Sequence, residues 1–153
     1  MLARAKDGAI DTDTVARVVG APTHDLVNRV LQAIDSGDIS DGLLAIREAG
    51  QDHVDMKAYL KLLLHKLRAV LLLRYAPNYA KEFADEFTPD DLALLATLAG
   101  SSEKKINSHV LYEFLEASRQ IGWSAVRSLP IELALIKVAG EAVSAKEKDR
   151  NAP

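Results

Sequence analysis

Apolar positions along this chain recur at three- and four-residue spacing, and glycine or proline punctuates the gaps. Leu26, Val27, Val30, Leu31 and Ile34 share one face of a helix that Pro22 precedes and Thr23 can cap. Ser36-Gly37-Asp38 is a turn. Asp38 or Ser40 then starts a helix with Leu43, Leu44, Ile46 and Ala49 inward and Gly50 at its end. The longest element runs from about Val54 to Tyr75 and carries two apolar stripes. One holds Met56, Tyr59, Leu60, Leu63, Leu64, Leu67, Val70 and Leu71; the opposite one holds Ala58, Leu62, Ala69, Leu72 and Leu73. A helix that is apolar on two sides is buried between neighbours or lies at an interface, so this one is the centre of the fold.

Beyond Pro77, the spacing of Tyr79, Phe83 and Phe87 predicts a short helix. Thr88-Pro89-Asp90-Asp91 is a helix start: a capping hydroxyl, proline in the first turn, then acids at the positive end of the dipole. That helix stops at Gly100, and 101–108 reads as polar loop. Val110, Leu111, Phe114, Leu115, Ser118 and Ile121 form the next apolar face, ending near Gly122. Leu129-Pro130 opens a last helix with Ile131, Leu133, Ala134, Leu135, Ile136 and Val138; the end frays from Lys146. Val15, Val18 and Val19 at helical spacing, with Gly20 after them, predict a further short helix over Asp11–Val19. No segment alternates with period two. The expectation is an all-α fold: one bundle of about five to seven helices around a long central helix.

Composition narrows the function. The chain has 153 residues, 48% of them hydrophobic, and no cysteine. One domain with a sizeable core fits that length. Thiolate metal sites, disulfides and cysteine nucleophiles are excluded. Net charge is −3, and proteins that hold phosphate backbones are usually basic, so nucleic acid is not the expected direct partner. The longest aliphatic runs, Ala69–Leu73 and Leu92–Ala96, fall far short of the roughly 20 residues of a membrane span.

Searching for chemistry gives little. No G-x-x-x-x-G-K-[ST] or GxGxxG loop exists to cradle phosphates. His24, His53, His65 and His109 are never four apart, so none pairs as helical metal ligands. His24 and His53 read as exposed residues near helix starts, His65 as packed or edge, and His109 with Glu113 as a surface pair. Asp90 and Asp91 answer to the helix dipole, while Lys57, Lys61, Lys66, Arg68 and Arg74 read as the solvated edge of the long helix. Trp123 reads as a plug over the bundle end. No catalytic, cofactor or metal residues are expected.

The run Phe114-Leu115-Glu116-Ala117-Ser118-Arg119-Gln120-Ile121, followed by Leu129-Pro130-Ile131-Glu132-Leu133-Ala134-Leu135-Ile136-Lys137-Val138, resembles a known pattern. It is similar to the end of the third domain of the gamma/tau subunit of the bacterial DNA polymerase III clamp loader. Ile10-Asp11-Thr12 through Val18-Val19-Gly20, Ile34 through Gly37-Asp38, and Gly50-Gln51-Asp52 with Leu67-Arg68-Ala69-Val70-Leu71-Leu72-Leu73 resemble further stretches of that family, in order, over about residues 9–140. Trp123–Ser128 is an unusual link for the family, and Ile131 stands where leucine is commoner.

The resemblance implies a non-catalytic oligomerisation domain, the helical collar that holds a five-membered ATPase ring together during clamp loading. Residues 1–22 would end the preceding AAA+ module, 23–143 would form the collar, and 144–153 a flexible tail. ATP and magnesium would belong to the absent upstream module. Partners would be gamma/tau copies, delta and delta-prime, and an accessory-subunit peptide, in the bacterial cytoplasm. Leu62, Leu72, Leu73, Glu132 and Lys137 are the candidate subunit contacts. The alternatives are a stand-alone helical adaptor and the collar of another clamp-loader-like ATPase, such as a small subunit of replication factor C.

Overall fold

The structure, a computed structural model, describes residues 21–151, with the side chains of 21, 80, 83 and 141–151 left aside. The helix expected over 11–19 lies outside the described residues. Six helices longer than one turn follow in order: α1 (Ala21–Ser36), α2 (Ile39–Gln51), α3 (Met56–Tyr75), α4 (Pro89–Ala99), α5 (Ser108–Gln120) and α6 (Leu129–Asn151). Short helical turns over 77–86 join α3 to α4. The described fold is all-α, without strands.

Local chemistry starts and stops these helices. Gly37 takes φ +85, a left-handed turn that glycine adopts without steric cost. Asp38 then caps α2, its carboxylate accepting from the Asp41 amide at 3.3 Å. Asp55 caps α3, Thr88 caps α4 and Asn107 caps α5, each side-chain oxygen accepting from an amide two or three residues on. Two expectations need correction. Thr23 does not cap α1; it lies inside the first turn and is buried. Gly50 does not end α2, which runs on to Gln51 with Asp52 at its cap, and the left-handed residue is His53.

The central helix is α3. It packs against α1, α2, α4, α5 and the 77–79 turn, while α6 closes over α5, α2 and α1. Tyr59, Leu60, Leu63, Leu67 and Val70 are sealed, and Tyr59 donates its hydroxyl to the Leu26 carbonyl at 3.0 Å. Burial pushes the Tyr59 phenol well above its ordinary pKa, with the Arg29 charge opposing it. The second stripe of α3 is half-buried: Leu62, Leu72 and Leu73 rest against the core's edge.

The inward face of α2 keeps Ile46 and Ala49 as expected, with Leu43 at its edge, but differs at its other positions. Gly42, Ala45, Ile46 and Ala49 turn inward and Leu44 is exposed. Gly42 sits where a Cβ would come within 2.8 Å of a Leu135 methyl and 2.9 Å of the Ala33 Cβ, so the absent side chain lets α2 approach α6 and α1. Arg29 ties α1 to α2 from outside, meeting Asp41 at 2.8 Å and Glu48 at 3.0 Å. Arg74, read as a solvated edge, instead ends α4: its guanidinium donates to the carbonyls of Ala99, Ile106 and Leu98. The 101–107 loop is pinned there, with Ile106 buried beneath it. The helical path of α6 continues through Gly140 to Asn151, beyond Lys146, where the composition predicts fraying.

Candidate protein–protein interface

Eight residues join α5 to α6, a link short enough to make the two helices neighbours. Both send one face to the core: Val110, Phe114 and Ala117 from α5, and Ile131, Ala134, Leu135 and Val138 from α6. Each also carries apolar side chains on its outer side. Tyr112, Leu115, Leu129, Leu133 and Ile136 are all at least 40% exposed. On α6, the spacing of 129, 133 and 136 aligns the exposed side chains in one row. Spacing alone groups Leu115 with the core residues of α5 and does not separate Leu133 and Ile136 from those of α6; all three lie on the outside of the two helices. Their apolar runs are longer than one core face can take, and the surplus lies on the surface.

Between the two helices runs a groove of about 410 Å³, with Ala117 and Ala134 at its floor and Tyr112 and Leu133 on its sides. Lys137 meets Glu113 at 3.2 Å along it. Glu113 is buried, so this ion pair staples α6 to α5, and Glu113, expected as a surface partner of His109, meets Lys137 instead. Glu132 lies on another side of α6, sharing a hollow with Arg47, His53 and Arg127. The five predicted contact residues therefore do not form one patch. Leu62, Leu72 and Leu73 edge the core on α3, while Lys137 and Glu132 stand apart on α6.

A second arrangement was illegible as such in the sequence. Lys66, fully buried, donates to Asn28 Oδ1 at 2.8 Å and pairs with Asp91 Oδ2 at 3.2 Å. Asn28 Nδ2 donates to the other Asp91 oxygen at 3.1 Å. His24 brings Nδ1 to 3.3 Å from Asp91, although this nitrogen is buried and makes no aligned hydrogen bond. The reading of Lys66 as a solvated edge and of His24 as exposed is corrected here, and Asp91 serves Lys66 as well as the α4 dipole. Burial lowers the His24 pKa, and the Lys66 ammonium adds to the effect. Burial likewise lowers the Lys66 pKa, with Asp91 opposing it. Burial works against the Asp91 charge too, but Asn28 and Lys66 outweigh it and hold the carboxyl below its ordinary value. One signal was present: position 66 lies among Leu63, Leu67 and Val70, in the middle of the core stripe. The Lys66 ammonium is sealed from solvent, so the cluster joins α1, α3 and α4 and presents this amine to no substrate.

His65 is an edge residue, stacked on Phe87 at 4.9 Å and paired with Glu86 at 2.7 Å. Trp123 is not a plug: its side chain is 90% exposed. The turn that follows Gln120 carries it outward, and Ile121 is buried instead. Among the described residues no three histidines or acids converge as metal ligands. No described helix is long and apolar enough to cross a membrane. No protein-family model, curated protein or solved structure significantly matches the chain.

Proposed function

We propose that this chain is a non-catalytic oligomerisation domain of the clamp-loader collar type. In that role it holds gamma/tau copies, delta and delta-prime in an ATPase ring during sliding-clamp loading in the bacterial cytoplasm. ATP and magnesium act in a preceding module, and this domain supplies rigid packing alone.

The observation that carries the reading is the set of exposed apolar side chains on α5 and α6: Tyr112, Leu115, Leu129, Leu133 and Ile136. Scattered surface leucines need no explanation, but apolar residues in register on two adjoining helices mark an association surface. Burying each such side chain yields about 1.5–3 kcal/mol, enough for a few of them to hold a subunit in place. Three of the five lie in Leu129–Val138, the run that most resembles the collar family. Two helices stapled by Glu113 and Lys137 present this surface with little conformational freedom to lose.

The experiment is light scattering on the chain alone and mixed with gamma/tau, delta and delta-prime collars. The chain is expected to associate, and Leu133→Glu with Ile136→Glu to abolish association while circular dichroism stays helical. Failure to associate with any collar, or association indifferent to both substitutions, overturns the proposal.

A further inference from the structure

A second concave site lies away from the α5–α6 groove. It is about 460 Å³ in volume and runs between the first half of α3 and the end of α5. Three cations border it and no acid does: Lys57 and Lys61 are one turn apart on α3, and Arg119 stands opposite on α5. Among the described residues no ion pair holds Lys57 or Lys61. Arg119 shares its guanidinium with Glu116 at 3.3 Å. This is a local concentration of positive charge on a chain of net charge −3. The floor is aliphatic, made by Leu60, Leu64 and Ile121. At one end stands Trp123, almost fully exposed. Lys57 lies over Gly122, close enough that a Cβ there would sit 3.9 Å from its Nζ, so this ammonium lies at the Trp123 end.

We propose that this groove binds an acidic peptide segment of a partner protein, anchored by an aliphatic side chain. Carboxylates of the segment meet Lys57, Lys61 and Arg119. The aliphatic anchor rests on Leu60, Leu64 and Ile121, and the Trp123 indole covers it. Trp and Arg are the residue types that most often dominate binding energy at such sites, and opposed charge fixes orientation and speeds encounter. A single nucleic-acid strand fits less well. It needs a continuing basic track and successive stacking aromatics, whereas here one indole stands alone. One turn beyond Lys61 on α3, His65 is committed to Glu86.

Trp123 is the chain's single tryptophan, so its emission reports this groove directly. The test titrates the whole chain with a short fluorescein-labelled peptide alternating Glu and Leu. A Glu–Ser peptide and an oligothymidine serve as comparisons. The Glu–Leu peptide is expected to shift Trp123 emission to the blue and to bind in roughly the micromolar range. Removing the aliphatic anchors in the Glu–Ser peptide weakens binding at least tenfold. Lys57→Glu with Lys61→Glu also weakens it at least tenfold by fluorescein anisotropy, with helicity unchanged, since both side chains are exposed. Trp123→Ala, read by anisotropy, weakens binding several-fold. Unshifted emission at saturating peptide, equal affinity for the Glu–Ser peptide, or indifference to the charge reversal would each overturn the proposal, as would tighter binding of oligothymidine. The subunit-association experiment uses other residues, so the two readings fail independently.

Discussion

Asp91→Ala probes the buried cluster most sharply. The substitution leaves the Lys66 ammonium, with no exposed surface, facing only the Asn28 amide oxygen. Removing one partner of a buried pair costs about 3–5 kcal/mol, because the remaining charge has lost its counter-ion in a poorly solvated place. Asn28 Nδ2 also loses its acceptor, and the first turn of α4 loses a carboxylate worth about 0.3–1 kcal/mol. Lys66 can release its proton, which its lowered pKa favours, so the lower end of the range, about 3 kcal/mol, is expected. Lys66→Met is the milder change. It keeps the aliphatic volume and leaves Asp91 with its Asn28 donor and the helix dipole. The double variant should cost less than the two singles together by at least about 1 kcal/mol. Urea unfolding at neutral pH, followed by far-ultraviolet circular dichroism, measures all three; tryptophan emission is unsuitable because Trp123 is already exposed. An Asp91→Ala cost below about 1 kcal/mol, or strict additivity, would refute the claim that a charged, mutually dependent pair sits in the core.

Acidification should weaken the fold through His24, whose pKa is lowered from 6.5 on folding. The unfolded chain therefore takes up the proton first: this contribution is complete above about pH 6.5 and is lost as pH falls toward the folded value. Urea midpoints across that range should show the loss, and His24→Gln should flatten it. Arg74→Ala removes donors to three carbonyls and should cost about 2–3 kcal/mol. Hydrogen exchange should then locate the loosening at 100–107, and uniform loss of protection across all helices would contradict this placement. Gly42→Ala should destabilise by about 1–2 kcal/mol through overpacking against Leu135 and Ala33. Gly50→Ala, with open space around its Cβ position, should stabilise by about 0.5–1 kcal/mol; equal thermal midpoints for the two would refute the packing argument.

Helix identities and the central role of α3 were legible because caps and three-four spacing are local signals. The faces of α2 and α5 were read less well, for a reason that applies to α6 too. Leucine at 44, 115 or 133 satisfies helical periodicity whether it points inward or outward, and neighbours decide. At position 42 the decision fell to a glycine, which hydropathy counts as no core residue at all, yet the Leu135 methyls need its empty side. Lys66 shows the converse. Periodicity put it inside the stripe, and its charge argued for the edge; a carboxylate 25 positions away at Asp91 and an amide 38 positions away at Asn28 reversed that argument. Such pairings are non-local, so no window along the chain displays them. Trp123 escaped for a smaller reason: a one-residue choice in a turn sent Ile121 in and the indole out.

The placement of α6 bears on how the bundle is made. Gly42 borders the space that Leu135 occupies, and Ile131 and Leu135 follow every other part of the core except Ala134 and Val138 in the chain. On the ribosome, α1 to α5 emerge before their closing helix and hold that seam open until residues 129–138 are released. Helices α1 to α5 can pair with one another in the order of synthesis, but the faces of α2 and α5 that meet α6 stay open until it arrives. The interval before α6 arrives is when a nascent chain would expose the most apolar surface, and when a chaperone would have the most to cover.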